Sequence, residues 1–301
     1  MKKIVVVGSI NNDLVIEVDK APVMGETVFG RDFIQVFGGK GANQSVAAAR
    51  LGAQVMFIGA VGNDDFGKAL IKNLTDNNVK TDCMKIVDDK PTGTAIIILC
   101  ENDNYIVVDL GANMSLDKTL IDNASEFIKE ADMVLLQLEI PLETALYVIK
   151  LCNSLSVPVL LNPAPAPAIP FDKELLGMVS YLTPNETETY TLTGIMPSTP
   201  DEAIKAAKRL TRLGANQIAI TLGSLGCVYG SGDNFNYIPA VKVETVVDST
   251  AAGDSFSAAL AVAITEGKTF EEAVKFATKV GAITVTRKGA QPSLPYRHEI
   301  N

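Results

Sequence analysis

The amino-acid sequence predicts an α/β fold in which a largely parallel sheet carries helices on both faces. Three observations carry the prediction. Short β-branched runs recur at residues 4–7, 55–58, 133–138, 158–161, 181–183 and 218–222. Amphipathic segments separate them: residues 117–131 place Leu120, Ile121, Ala124, Phe127 and Ile128 along one helical face, and residues 201–213 repeat the pattern. A 301-residue chain that is 47% hydrophobic can bury a sizeable core, as one large domain or two modest ones.

Taken in chain order, the first strand (residues 4–7) is followed by two stretches that break the rhythm. Residues 13–19 and 27–37 read as strands with no helix between them, and residues 94–109 read as two strands joined across the polar turn Glu101-Asn102-Asp103-Asn104. Such strands suit a small separate sheet covering a cleft, a device that excludes water from reactive phosphates. They are equally compatible with an extension of the main sheet. Further along, the Pro-rich residues 162–170 are too short for an interdomain linker and read as a stiff loop after a strand. No internal repeat or low-complexity tract is present.

Composition excludes several function classes. A net charge of −9 argues against a broad nucleic-acid surface, which needs clustered Lys and Arg, so any phosphate must be held locally. No apolar run approaches the ~20 residues of a membrane span. The opening Met1-Lys2-Lys3-Ile4-Val5-Val6-Val7-Gly8 passes into a strand-like run without the longer apolar core of a signal peptide, so a cytoplasmic location is expected. Cys83, Cys100, Cys152 and Cys227 are scattered and read as reduced core thiols. The one histidine, His298, lies near the end of the chain, which leaves a carboxylate, lysine, tyrosine or cysteine as general base.

The strongest local signal is the stretch from Val246 to Leu260, where a strand is expected to end in the small-residue turn Asp248-Ser249-Thr250-Ala251-Ala252-Gly253-Asp254 and a helix to begin. Small residues let a ligand approach the backbone closely. The amides of Ala252, Gly253 and Asp254 at a helix start form an anion hole suited to a phosphate. Asp254 in the same turn can accept a proton from a hydroxyl held there, although by itself an aspartate at this position is better explained as a helix cap.

Gly38-Gly39-Lys40-Gly41-Ala42-Asn43-Gln44 is a glycine turn entering a helix. It lacks the Gly-Lys-Ser/Thr of a P-loop, but its glycines let the backbone meet a small polar ligand, with Lys40 and Asn43 as donors. Asn11, Asp13, Glu139, Asn185 and Glu188 sit at strand ends, where open α/β sheets bind ligands, and these residue types suit a polyhydroxylated substrate. Each also suits a turn or cap, Asn185 above all. Thr221-Leu222-Gly223-Ser224-Leu225-Gly226 can hold nucleotide phosphates through its amides or form a plain hairpin. Residues 284–293 read as a solvated basic loop.

Together these motifs resemble the phosphofructokinase-B type, or ribokinase-type, carbohydrate kinases over nearly the whole chain. The glycine-lysine stretch resembles the family's first signature and residues 248–254 its second, while Asn162-Pro163-Ala164-Pro165, residues 184–188 and residues 286–293 share its wording. The resemblance implies one doubly wound domain over residues 1–301, with a β-sheet lid from about residues 13–37 and 92–110 that pairs two subunits. It implies ATP-dependent phosphorylation of D-ribose at O5 in ribose catabolism. It implies a ribose site made by Asn11, Asn12, Asp13, Gly39, Lys40, Gly41, Ala42, Asn43 and Glu139, with Asp254 as base. ATP contacts are implied for Asn185, Thr221, Leu222, Gly223, Ser224, Leu225, Gly226, Gly253, Asp254 and Thr278, and Glu188 is implied to organise Mg²⁺ through water. A monovalent cation, K⁺, is implied at Asp248, Thr250, Thr284, Arg287, Gly289 and Ser293. Ser249, Thr250 and Thr278 depart from the commonest family wording, Thr278 standing where some members have a histidine near adenine.

Overall fold

A computed structural model describes residues 2–100, 103–167 and 171–300. Thirteen strands form among them: β1 (Lys3–Val7), β2 (Asn11–Val18), β3 (Gly30–Gly38), β4 (Gln54–Gly62), β5 (Val79–Val87), β6 (Thr94–Cys100), β7 (Asp103–Asp109), β8 (Met133–Leu136), β9 (Val159–Leu161), β10 (Tyr181–Leu182), β11 (Gln217–Thr221), β12 (Gly226–Ser231) and β13 (Asn234–Pro239). The helices are α1 (Lys40–Arg50), α2 (Asp65–Asp76), α3 (Lys118–Asn123), α4 (Ser125–Lys129), α5 (Leu142–Ser154), α6 (Lys173–Met178), α7 (Glu186–Thr193), α8 (Pro200–Arg212), α9 (Ala252–Thr265) and α10 (Phe270–Thr284).

Nine strands form one sheet in the order β13-β12-β11-β10-β9-β8-β1-β4-β5, parallel throughout except that β12 pairs antiparallel with both β11 and the edge strand β13. Alternation along each strand explains two cores rather than one. Val5, Val7 and Ile58 face Ile121, Ile128, Val148 and Leu210 on one side. Ile4, Val6, Val55 and Phe57 face Val46, Leu70, Leu260 and Val274 on the other. Both faces of the sheet are thus covered, as a parallel sheet requires.

The other four strands form the small separate sheet, ordered β3-β2-β6-β7, so the stretches that broke the rhythm do not extend the main sheet. Residues 101 and 102 of the expected polar turn lie outside the described residues, as do 168–170 of the Pro-rich segment. The small sheet joins the main domain beside the switch point, where β1 is flanked by β4 on one side and β8 on the other. Asn113 secures that junction: fully buried, it pins both backbone groups of Ile10 and donates to Asn11 Oδ1 at 2.8 Å.

Other boundaries differ from the sequence reading for local reasons. The expected helix over residues 117–131 is two helices, because Ala124 leaves helical geometry amid Asp122, Asn123 and Ser125, whose side chains compete for backbone hydrogen bonds. No strand forms before Asp248. Residues 247 and 248 instead donate to the Val285 carbonyl, which ties this segment to the loop after α10. The edge strands β5 and β13 escape a pattern reading, since half-exposed edges show neither a continuous apolar run nor clean alternation.

Phe57 is fully buried on the α1 side of the sheet, and a Cβ on Gly59 would lie 2.4 Å from its ring. Phe57→Ala is expected to lower unfolding free energy by about 3–5 kcal/mol. Urea denaturation should register it as a lower midpoint with an unchanged slope.

Candidate active site

The site begins with a close approach of backbones. Gly39 has φ 87°, and a Cβ there would lie 2.6 Å from Ile10 Cα; one on Gly41 would lie 2.7 Å from the Gly8 carbonyl carbon. Only glycine allows the start of α1 to rest on the turn leaving β1. The Ala42 amide donates to Ser9 O at 2.9 Å, and Ser9 Oγ donates to Glu139 Oε2 at 2.6 Å. Glu139 also receives the Lys40 amide at 3.4 Å and lies 3.8 Å from Lys40 Nζ. Asn11, Asp13, Lys40 and Glu139 are thereby gathered from three separate segments. Asn12 is buried, with Oδ1 accepting from Gln35 Nε2 at 2.5 Å.

At the other side of the cleft, Ala251 adopts the left-handed conformation with φ 61° and α9 starts at Ala252. The Ala252 amide turns back to Ser249 O at 3.2 Å, which corrects the expected three-amide anion hole: the Gly253 and Asp254 amides are the ones the helix start leaves for an anion. Nothing lies within 4 Å of a Cβ built on Gly253, so this turn borders open space.

Asp254 is 7% exposed and is not a simple cap. Its Oδ2 accepts from Asn43 Nδ2 at 2.9 Å and its Oδ1 from Gln44 Nε2 at 3.1 Å. Burial raises its pKa, opposed by the Lys40 charge and the Asn43 and Gln44 donors. Burial likewise works against the Lys40 ammonium, but Asp254, Glu139 and Glu188 together raise its pKa. Asp13 is pushed up to about 7 by burial and by the charges of Glu139 and Asp254, with Lys40 pulling the other way.

A cavity of about 210 Å³ brings Lys40 and Asp254 together with Asn162, Ala164, Thr183, Asn185, Glu188, Thr221, Ser249, Ala251, Gly253 and Ser257, while Asn11, Asp13, Asn43 and Glu139 lie outside its lining. Asn185 and Glu188 form a capping box on α7, so the cap reading of Asn185 holds even though both residues border the cavity. Burial raises the Glu188 pKa against the pull of the Asn185 amide and Lys40. The residues from Thr221 to Gly226 form the connection of an antiparallel hairpin, in which the Leu222 amide donates to Gly226 O at 2.8 Å.

A second, more apolar cleft of about 360 Å³ runs between residues 241–243 and α10, lined also by Ala282, Ile283, Thr286 and Ile300. Thr278 does not line it, and its hydroxyl donates to Val274 O at 2.9 Å.

Of the expected cation residues, Asp248, Thr250 and Gly289 are in direct contact. Asp248 accepts from the Thr250 amide and hydroxyl at 2.9 and 2.6 Å and from the Gly289 amide at 2.8 Å. These hydrogen bonds hold its pKa down although burial acts against them. Arg287 is turned away to Glu299, so its guanidinium does not compete for the position. The buried Thr284 hydroxyl donates towards Ser255 Oγ and Val280 O, and Ser293 Oγ donates to Ala290 O. What remains is oxygen-rich and carries a single carboxylate, a donor set that fits a large monovalent cation. Among the described residues no group of three or more His, Cys, Asp or Glu is arranged for a metal. Glu188 as one carboxylate beside a phosphate-sized space fits Mg²⁺, which keeps waters and takes most of its remaining ligands from substrate phosphates.

A pfkB family carbohydrate kinase pattern matches residues 1–297. The chain belongs to that family. Within it, the chain is 46% identical over 300 residues to a ribokinase of Bacillus subtilis, covering 100% of this chain and 98% of that protein. It is 40% identical to a ribokinase of Mus musculus, covering 99% and 93%. The structure of Arabidopsis thaliana ribokinase complexed with ribose and ATP matches with a TM-score of 0.93 at 36% identity, covering 100% of this chain and 98% of that one. The ribokinase-like fold expected from the sequence is therefore the fold observed.

Sequence reasoning about this pfkB site passed over Gln44, Gln137, Asn113 and Asn162 as individual site residues. Gln137 did leave a signal, as the one polar residue in the run Met133-Val134-Leu135-Leu136-Gln137-Leu138.

Asp13 yields a pH test. Its folded pKa, about 7, lies above the ordinary 3.8, so the stability it contributes when protonated is lost as pH rises between those values. At roughly 1.4 kcal/mol per pKa unit, the ionised group costs on the order of a few kcal/mol above neutrality. Asp13→Asn should melt higher than the wild type at alkaline pH, with the advantage vanishing towards the ordinary carboxylate range. Melting curves across that range check it, and a difference independent of pH would refute it.

Proposed function

We propose that this chain transfers the γ-phosphoryl group of ATP to the O5 hydroxyl of D-ribose, giving D-ribose 5-phosphate and ADP. One observation carries the reading: a buried carboxylate, Asp254, shares a cavity with the free amide end of α9 and with Lys40. That is the equipment for phosphoryl transfer, in which positioning and charge stabilisation do most of the work. Family membership and the relatives with which the chain aligns end to end, named ribokinases, support the sugar and the nucleotide.

In this mechanism Asn11, Asn12, Asp13, Glu139, Asn43 and Lys40, with the backbone of Gly39, Gly41 and Ala42, receive the sugar's hydroxyls. Asp254 takes the O5 proton on a carboxylate oxygen as O5 bonds to the γ-phosphorus. The bond from that phosphorus to the β–γ bridging oxygen breaks, and its electron pair leaves with ADP. The Gly253 and Asp254 amides neutralise charge on the transferring group. Asn185, Thr278 and the residues from Thr221 to Gly226 serve the nucleotide. Glu188 would orient Mg²⁺ through water, and the ion would neutralise phosphate charge. Asp248, Thr250, Thr284, Arg287, Gly289 and Ser293 would hold K⁺ through oxygens, fixing the loop beside the anion hole. The same site chemistry serves other pentoses, deoxyribose or a nucleoside, and a substrate panel run with and without K⁺ separates them.

Asp254→Asn is expected to lose about 10²–10⁴ in turnover with little change in sugar affinity. A coupled ADP-release assay measures it, and a loss under ~10-fold would remove Asp254 as base.

The lid is proposed to pair two subunits. Its strands expose Ile96, Tyr105 and Val107, and Ile96 and Val107 are cross-strand neighbours on one face. An exposed apolar face of this kind marks an association surface. Sedimentation velocity should find a dimer, and the pair Ile96→Lys with Val107→Lys should shift it to monomer. No helix among the described residues is long and apolar enough to cross a membrane.

A further inference from the structure

Asp254 is buried where a lone carboxyl group would be held protonated, yet a general base must be ionised when the sugar arrives. Each of its oxygens accepts one amide donor from α1, and the Gln44 amide is itself oriented. Gln44 Oε1 accepts from Gln137 Nε2 at 2.5 Å. Its Nε2 also reaches Asn162 Oδ1 at 3.3 Å, and Asn162 Nδ2 donates to the Thr183 carbonyl at 3.0 Å. Turning the Gln44 amide over would aim its oxygen at the Asp254 carboxylate and its NH₂ at the Gln137 NH₂. Both contacts are repulsive in a dry site. The hydrogen bonds therefore run one way, from Gln137 to Gln44 to Asp254, and the dipoles of such a chain reinforce one another.

Gln137 is expensive to keep. It is fully buried just past β8, a Cβ on Gly8 would lie 2.0 Å from its Oε1, and that oxygen has no hydrogen-bond partner among the described residues. An unsatisfied buried acceptor destabilises a fold, whereas a methionine fills the same volume without one. Packing alone gives no reason for a glutamine here.

We propose that Gln137 is a positioning residue that acts through Gln44 to fix the orientation and the ionised state of the Asp254 base. The proposal rests on Asp254 being the base. The groups facing Asp254 are Lys40, Asn43 and Gln44 of α1, Glu139 beyond β8, Glu188 of α7 and Asp13 of β2. Lys40 is the one cation among them and three carboxylates oppose it, so the amide donors are what complete the stabilisation of the charge.

The test compares wild type, Gln137→Met, Gln44→Met, the double variant and Asp254→Asn as full-length proteins. Single-turnover rates at saturating sugar and ATP are followed from about pH 5 to pH 9, across the range in which the facing groups titrate. Gln137→Met should melt at or above the wild-type temperature and keep its sugar KM within about 3-fold. The acidic limb of its profile should move upward by about one pH unit, so that the rate falls by up to about 10-fold on that limb and recovers towards alkali. Gln44→Met should show the same displaced limb, which keeps the idea testable if Gln137→Met is unstable. The double variant should be no slower than Gln44→Met alone, because both act along one chain.

An acidic limb that coincides with the wild type, losses that multiply in the double variant, or an effect confined to KM overturns the proposal. A ¹³C carboxyl titration of the sugar-free protein gives a readout apart from turnover. The resonance that Asp254→Asn removes should titrate at higher pH in Gln137→Met. An unchanged titration with Asp254→Asn inactive overturns the relay alone, whereas full activity in Asp254→Asn overturns the base assignment and the relay with it.

Discussion

Two neighbouring amides on α1, those of Asn43 and Gln44, hold the two oxygens of Asp254 on α9, more than two hundred residues away in the chain. The rest of the site depends on this clasp. Lys40 opens α1 and Gly253 lies in the first turn of α9, so fixing one helix start against the other also fixes the cavity between them. The helices behind the clasp are packed through small residues: Ala42, Val46, Ala47, Ala258, Ala259 and Leu260 belong to one buried cluster. Alanines allow close approach, and close approach brings an asparagine and a glutamine within reach of a buried carboxylate.

The same demand for short distances explains the glycines around β1. Gly8, Gly39 and Gly41 stand where any Cβ would meet backbone or the Gln137 amide. Relaxing any of them would push α1 away from β1 and loosen the link from Ser9 to Glu139 and Lys40. A positive φ at Gly39, open to glycine without strain, and a left-handed Ala251 therefore serve one geometry from opposite sides of the cleft.

Much of this was legible in the sequence, and the limits have physical causes. Strands buried on both faces, such as residues 4–7 and 133–136, announce themselves by apolar runs, and Asp201 to Arg212 by helical period. The small sheet was visible only as strands without helices; its separation from the main sheet is a matter of pairing partners, which local pattern does not contain. Site residues at strand ends were readable because α/β sheets concentrate ligands there. Gln44, Gln137 and Asn113 were not read, because their roles lie in which amide end faces which neighbour, a property of three-dimensional packing. Ala252 illustrates the same limit: a helix start offers three amides in principle, and the turn at Ser249 takes one back.

Charge divides the site into two halves with different appetites. Around Lys40 stand Asp13, Glu139, Glu188 and Asp254, four acids facing one base, while the start of α9 offers donors and no acid beyond Asp254 itself. Carboxylates accept from hydroxyls and repel phosphates, so the acid-rich half suits a neutral polyol and the donor half suits an anion. Without a sugar, the crowding of acids is relieved by holding Asp13 near its titration point. An ionised Asp13 would push the Asp254 pKa further up, so the Lys40 charge and the Asn43 and Gln44 amides are what oppose burial in keeping Asp254 ionised.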